Sequence, residues 1–347
     1  MLRDIRVSCS PHISGPLSTR SVMIDVIIGL VPAMATAGYY FRIHALILIP
    51  TCVISSVAAE WLCNVIRKNP SSLGDFSAVV TGIVLALSLP PSLPVWAAVI
   101  GSVFSVAIGK MVFGGLGANI FNPAMVGRAF LTASFGVLMT SWTVPATINS
   151  VEGDIRADNQ VKSVDAGSPI HVRTQATPLA WSKMAIKNKH GAKIYNEQQF
   201  KATLTGEVGG CLGETSAIAL LIGGLYLLIR RTINFHIPLA VLVSAFVFAA
   251  IAYLIDSDAY IQPLFHLSSG GILLGAFFIA TDPVTAPLTR RGMWIFGIGV
   301  GTITMLIRIV GEYPEGVMYS VLLMNAVTPL IDRFCKRIPA GGKPSIK

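Results

Sequence analysis

Long apolar stretches alternate with short polar segments along most of the 347-residue chain. A helix needs about 20 apolar residues to cross the hydrocarbon core of a bilayer. The pattern predicts ten membrane-spanning segments: 21–40, 43–66, 77–90, 94–113, 120–141, 212–230, 236–255, 268–281, 293–310 and 315–333. The third and the eighth are short. Each ends at a proline-rich stretch, where proline removes a backbone donor and breaks or kinks a helix.

The composition agrees with a protein that crosses a membrane several times. Hydrophobic residues make up 53% of the chain and charged residues only 12%, whereas about 25% of residues are charged in an ordinary soluble domain. Residues 1–20 are polar and lack the apolar core and cleavage site of a signal peptide, so we expect no processing.

The net charge of +9 comes from basic residues that gather at the ends of the predicted spans. If the chain crosses the membrane ten times, most of these basic residues lie on the same side. They are Arg3, Arg6, Arg20, Arg67, Lys68, Lys110, Arg230, Arg231, Arg290, Arg291, Arg333, Lys336 and Arg337. The positive-inside rule then predicts cytoplasmic termini and an extracytoplasmic loop at 142–211. Because this rule accounts for the charge, we expect no nucleic-acid partner.

The chain has few signs of a metal centre. Its five cysteines are an odd number and form no CxxC pair, which argues against a disulfide framework or a self-contained iron–sulfur site. The six histidines are scattered, and neither HExxH nor a Walker A sequence occurs. We therefore predict no metal site and no catalytic residue within this chain.

The two halves of the chain resemble each other. The sequence GIVLALSLPPSLPVW at 82–96 is similar to GILLGAFFIATDPVTAPLTRRGMW at 271–294, and 114–131 parallels 314–332. Each half has five predicted spans, an odd number, so the second half must run inverted to the first. Inverted repeats with broken helices are typical of transporters with a site at the bilayer midplane.

The predicted fold class is an all-α polytopic membrane protein of about ten helices, arranged as two inverted five-helix repeats. The predicted organisation is a cytoplasmic N-terminus at 1–20, a first repeat at 21–141, the extracytoplasmic loop at 142–211, a second repeat at 212–335 and a cytoplasmic tail at 336–347.

Polar residues near the spans are candidates for function, because they are costly inside a membrane. Asn119 and Asn122 lie where the fifth span begins, and two interpretations are open. Asn122 before Pro123 is typical of a helix cap. Alternatively, both asparagines and the glycines at 114–117 would suit a flat polar ring that approaches the backbone closely.

Three acidic residues also have two interpretations each. Asp75 and Asp282 could cap helices or lie on an ion pathway, and Glu214 could interact favourably with a helix N-terminus or relay a cation or proton. Asp75 precedes the short third span, Glu214 lies at the start of the sixth, and Asp282 follows the eighth within TDPVTAP.

The polar loop contains the sequence HVRTQATPL at 171–179. Together with segments elsewhere, it completes a series of motifs that covers nearly all of 10–335, in order. They are SPHI, the stretch at 81–96, GGLGANIFNPAMVGRAF, TQATPLA, GAFFIATDPVTAP and YPEGVMYSVLLMNAVTPLID. In these motifs the chain resembles a known family. It is similar to the D subunit of Rnf complexes and, more distantly, to the B subunit of the sodium-pumping quinone reductase.

The resemblance implies two flavins. The first is FMN, joined through its phosphate to the hydroxyl of Thr177 by a flavin transferase that uses FAD as donor. Thr174, Gln175 and Ala176 would form the recognition context, and the acceptor threonine is expected to be exposed. One residue departs from the family pattern, since His171 stands where relatives usually have aspartate.

The second flavin implied by the resemblance is riboflavin, bound without a covalent bond. Its expected place is near Asn119 and Asn122, with Pro123 shaping the pocket.

The function implied is that of an electron-transfer subunit of a redox-driven ion translocase of the ferredoxin:NAD oxidoreductase type, in the cell inner membrane. It would couple electron flow to Na⁺ or H⁺ transport. Its expected partners are the other Rnf-type subunits, among them an extracytoplasmic subunit with its own FMN, the flavin transferase and the lipid bilayer. NAD and ferredoxin would bind elsewhere in the complex.

Two alternatives remain open from the sequence. One is a B-type subunit of the quinone reductase, which usually has a longer N-terminal region and Ser-Gly-Ala-Thr at the attachment site. The other is a channel or transporter without a cofactor, since inverted five-helix halves also build such proteins. Thr177 separates the flavoprotein from the channel, because a channel does not need this motif.

Overall fold

The computed structural model describes residues 18–142, 177–183 and 197–336, apart from 69, 71, 181, 258, 312 and 314. All regular secondary structure in these residues is helical. The helices of the first half are α1 (Thr19–Phe41), α2 (Ile43–Ile66), α3 (Ser77–Leu87), α4 (Val95–Val106), α5 (Pro123–Ser134) and α6 (Gly136–Met139). Those that follow are α7 (Glu197–Thr205), α8 (Ala217–Ile229), α9 (His236–Ile255), α10 (Pro263–Ser268), α11 (Ile272–Leu274), α12 (Arg290–Ile309) and α13 (Val317–Phe334).

Three short segments complete these helices. A 3₁₀ turn at Leu73–Asp75 precedes α3, while π-helical segments at Ala107–Met111 and Gly275–Ile279 continue α4 and α11. Segments of π-helix are rare and often occur at functional sites. Both of them contribute residues to the same cavity.

The helices follow the predicted apolar stretches, and each of those stretches contains helix. Four helices, α1, α2, α9 and α12, are long and apolar enough to cross a membrane by length and composition. Shorter apolar helices occur at Ser77–Leu87, Val95–Met111 and Ala217–Ile229. The prediction of an all-α membrane protein is therefore confirmed at the level of fold class.

Local sequence explains where several helices begin and end. The hydroxyl of Ser18 accepts from Ser21 N at 3.2 Å at the start of α1, and the hydroxyl of Thr289 accepts from Gly292 N at 3.1 Å at the start of α12. Both are N-caps that satisfy a free backbone donor. The proline-rich stretch SLPPSLP follows directly after α3 ends at Leu87.

Close contacts between glycines join the two halves of the chain. Helix α1 packs against α8, and α5 packs against α13. A Cβ atom added to Gly223 of α8 would lie 1.9 Å from the carbonyl oxygen of Gly29 in α1. Small residues allow this approach of two backbones, as is common where helices pack in membranes. One cluster of buried apolar side chains consequently includes residues from both halves.

Candidate functional site

The larger cavity, called here the polar cavity, has a volume of about 720 Å³. It lies between α1, α3, the start of α5 and the segment that ends α11. Its wall is partly apolar and partly polar, and it includes Ser77, Lys110, Asn119, Asn122, Pro123, Phe277, Phe278 and Asp282.

Asn122 lies at the wall of the polar cavity and also caps α5. Its Oδ1 accepts from Met125 N at 3.3 Å, and Pro123 follows at the first helical position. The local pattern Asn-Pro thus forms the cap that it predicts. The Nδ2 amide donates to Ile279 O at 3.4 Å, which connects α5 to the π-helical segment of the other half.

Asn119 is buried at the same wall. Its Nδ2 donates to Phe121 O at 3.1 Å, and its Oδ1 accepts from Gly117 N at 3.3 Å. The loop that carries Asn119 needs glycine, because Gly114 and Gly117 have φ values of 124° and 96°, which side chains rarely adopt. The structure therefore brings together the residues predicted for the second flavin, Asn119, Asn122 and Pro123, at one cavity.

The two acidic residues near this cavity make the contacts of local caps. Asp282 lines the cavity, and its carboxylate accepts from Val284 N at 3.2 Å and from the Thr285 hydroxyl at 3.3 Å. Asp75 accepts from the backbone N and the hydroxyl of Ser77, at 2.8 and 2.5 Å. Ser77 in turn lines the cavity, so Asp75 lies one side chain away from it.

A buried ion pair at the polar cavity was not predicted. Lys110 Nζ donates to Glu60 Oε1 at 2.8 Å and to the Ser77 hydroxyl at 2.5 Å. Lys110 is 1% exposed and Glu60 is 0% exposed. The sequence assigned Lys110 to the group of basic residues that flank spans, but the structure buries it in the protein. The available signal was Glu60, which is the one acidic residue within the predicted span 43–66.

A smaller cavity of about 360 Å³, called here the threonine cavity, is lined by Thr177, Leu179, Glu214, Gly270 and Glu315, among others. Thr177 is 8% exposed, and its hydroxyl oxygen accepts from Ala180 N at 3.1 Å. The expected exposed acceptor is thus a buried side chain that borders a cavity. The other motif residues, Thr174, Gln175 and Ala176, and also His171, lie outside the described residues.

Two ion pairs involve residues of the threonine cavity, since Glu214 and Glu315 line it. Arg128 of α5 lies 3.6 Å from Glu214, and Arg308 of α12 lies 3.2 Å from Glu315. Arg308 also donates to the carbonyl oxygens of His266 and Ser269, at 2.6 and 3.2 Å. Burial makes each pair dependent on its partner, because an unpaired buried charge is costly.

Glu214 lies two residues before the N-cap of α8 and does not itself cap this helix. The hydroxyl of Ser216 takes that role and accepts from Ala219 N at 3.3 Å. The Oε1 atom of Glu214 has no hydrogen-bond partner within the described part of the chain and has only the ionic contact with Arg128. Its surroundings therefore include a cavity, a cation and the threonine of the predicted attachment site.

The lining residues of both cavities are chemically compatible with the groups that the sequence implies. The polar cavity offers amide groups from Asn119 and Asn122 and the rings of Phe277 and Phe278, a combination suited to a flat heterocycle with polar edges. At the threonine cavity, the side chain of Thr177 borders open space into which an attached group would extend. Within the described ranges, no cluster of three His, Cys, Asp or Glu side chains could hold a metal ion.

Comparison with known proteins gives a match over nearly the whole chain. The model of the NQR2, RnfD, RnfE family matches residues 6–341. The D subunit of the Na⁺-translocating ferredoxin:NAD⁺ oxidoreductase complex of Acetobacterium woodii is 45% identical over 333 residues, which cover 96% of this chain and 94% of that protein. The D subunit of the proton-translocating ferredoxin:NAD⁺ oxidoreductase complex of Clostridium ljungdahlii is 39% identical, with 96% of each chain covered. The D subunit of the ion-translocating oxidoreductase complex of Stutzerimonas stutzeri is 40% identical, with 95% of each covered.

Proposed function

The chain belongs to the NQR2, RnfD, RnfE family, and we infer its function from that membership. It acts as the D subunit of an ion-translocating ferredoxin:NAD⁺ oxidoreductase complex, in which electron flow drives ion transport. The observation that carries this conclusion is similarity to relatives of that name over almost the full length of both chains. The relatives are named for different ions, Na⁺ in one and protons in another, so either ion suits this chain.

Within that complex, the chain carries electrons on two flavins. The first is FMN, esterified to Thr177 by a flavin transferase, with Thr174, Gln175 and Ala176 as the recognition sequence. This proposal is supported by the TQAT sequence and by the position of Thr177 beside a cavity. Electrons pass between this group and an FMN on a partner subunit outside the membrane.

The second flavin is riboflavin, bound in the polar cavity between Asn119 and Asn122. The two amide side chains and the phenylalanine rings of the cavity support this assignment. Asp75 and Asp282, near this cavity, and Glu214, beside the threonine cavity, are the proposed residues of the ion pathway. Their positions would allow a change of flavin charge to act on an ion over a short distance, because electrostatic interactions are strong at low dielectric constant.

The membrane organisation is that of ten spans in two inverted repeats, at 21–141 and 212–335, joined by an extracytoplasmic loop at 142–211. The short segments 1–20 and 336–347 are cytoplasmic, and the protein lies in the cell inner membrane. Contacts between equivalent helices support a twofold arrangement, since α1 packs on α8 and α5 packs on α13. The α2–α4 contact of the first half also has its counterpart in the α9–α12 contact of the second.

The covalent flavin is tested by expression with the transferase, denaturation and flavin fluorescence on a gel. We expect a fluorescent band for the wild type and none for Thr177→Val. Thr147→Val, a substitution in the same loop outside the motif, is the matched control and should keep the band. A band that survives Thr177→Val, or its absence in the wild type, would overturn the assignment.

The ion is tested with the whole complex in proteoliposomes. If Na⁺ is transported, turnover depends on the Na⁺ concentration and an uncoupler of proton gradients leaves ²²Na⁺ uptake intact. If protons are transported, turnover is independent of Na⁺ and the uncoupler abolishes the gradient.

A further inference from the structure

The polar cavity has a positive charge in its wall that the proposed function does not yet use. Lys110 lines the cavity, and its Nζ donates to Glu60 at 2.8 Å and to Ser77 at 2.5 Å. An ammonium has one more N–H than these two bonds require. Lys110 is only 1% exposed, unlike a solvated basic residue at the end of a helix.

The position of the ammonium is fixed by a chain of buried side chains. Glu60 accepts from Lys110 and also from the hydroxyl of Ser72, which accepts from Asn64 Nδ2 at 2.9 Å. On the other side, Ser77 donates to Asp75 at 2.5 Å. These contacts join α2, the turn before α3, α3 itself and the end of α4. Such a network restricts the rotamers of Lys110 and holds its charge at the cavity.

Stability alone does not explain why two charged residues occupy this buried site. Two apolar residues of similar volume would often stabilise a buried site equally well, because desolvation offsets the Coulomb attraction. Lys110 lines a cavity rather than a filled core. A charged side chain beside a cavity can also bind an opposite charge or the electron-rich edge of a ligand.

We propose that Lys110, positioned by Glu60 and Ser77, binds the electron-rich edge of the flavin in the polar cavity and favours its reduced, anionic form. The inference rests on the proposed second flavin. Reduction of the oxidised ring by two electrons with one proton leaves one net negative charge on it, and no bond to the protein forms or breaks. The electrons come from the ferredoxin-driven chain. A charge-assisted hydrogen bond from Lys110 would compensate this negative charge.

The test measures riboflavin binding to the flavin-depleted, otherwise intact complex, with the ligand either oxidised or reduced by dithionite under anaerobic conditions. The readout is the ratio of the two dissociation constants, which a purely structural role of Lys110 would not change. For Lys110→Met, we expect the preference for reduced riboflavin to fall at least tenfold, which corresponds to about 30 mV in the potential of this two-electron couple. Lys110→Arg should largely keep the preference, since it retains the positive charge.

Two further variants serve as controls for this test. Lys110→Met leaves Glu60 without a partner and could fail to fold, so the double variant Glu60→Gln/Lys110→Met removes both charges and should show the same loss of preference. Arg290→Met removes one positive charge from the exposed start of α12 and should leave the ratio unchanged.

The outcomes separate the two proposals. If wild type and every variant bind riboflavin with the same ratio, the role of Lys110 is wrong and the second flavin stands. If the wild-type complex binds riboflavin in neither state, the second flavin and the inference that rests on it are both wrong.

Discussion

Lys110 and Glu60 form an ion pair in which Nζ lies 2.8 Å from Oε1, and both side chains are buried. The two residues are separated by 50 positions in the chain, and they come from α2 and from the π-helical segment that continues α4, which pack against each other. Lys110 lines the polar cavity, and sequence patterns did not predict its pairing with Glu60. Contacts of this kind can be tested by substitution.

Replacement of one member of this pair should destabilise the protein. Glu60→Gln leaves Lys110 charged and buried, and breaking a buried pair costs about 3–5 kcal/mol. The double variant Glu60→Gln/Lys110→Met removes the buried charge and should recover much of that loss. Thermal unfolding in one detergent measures all three proteins, and a Glu60→Gln midpoint equal to that of the wild type would contradict the prediction.

Substitutions at Asn122 can separate its cap from its contact with a ligand. Asn122→Ser keeps a side-chain cap and should change stability little, whereas Asn122→Ala should cost about 1 kcal/mol. Both variants lose the amide, so both should contain less acid-extractable riboflavin. Unfolding curves and flavin content are measured on the same preparations. If Asn122→Ser keeps its full flavin content, the residue is only a cap.

Arg308 should not tolerate lysine. Its guanidinium donates from Nη1 to His266 O and from Nη2 to Ser269 O and Glu315. Lysine is a single point charge and cannot reproduce this fork of donors. We expect Arg308→Lys to lower the free energy of unfolding by about 2 kcal/mol. Arg290→Lys, at the exposed start of the same helix, is the control and should change it by less than about 0.5 kcal/mol.

The contact between α1 and α8 should be sensitive to a single methyl group. In Gly223→Ala, the new Cβ would lie 1.9 Å from Gly29 O, so the helices must separate at a cost of about 1–3 kcal/mol. Gly38→Ala in α1 is the matched control, because an added Cβ there has no atom within 4 Å. Size-exclusion profiles after stepwise heating compare the two. Equal heat resistance would show that the crossing is looser than described.

Much of the candidate site could be predicted from local sequence. Asn-Pro at 122–123 forms a helix cap, and the glycines at 114–117 adopt backbone conformations that favour glycine. Both features depend on neighbouring residues, so a short stretch of sequence contains the required information. The burial of Thr177 was not predicted, because it depends on residues such as Glu214 and Gly270 from distant parts of the chain.

The sequence alone determined the positions of the apolar helices, since burial in a membrane or core imposes a length and polarity that can be read locally. It also determined the breaks at SLPPSLP and TDPVTAP, because proline removes a backbone donor wherever it occurs. Only the tertiary structure decided which charges pair. The sequence predicts that Lys110 is a basic residue at the end of a span. In the structure it lines the cavity, and α2 places Glu60 beside it. Partners such as these meet through helix packing, and the pattern along one helix does not specify the residues of its neighbour.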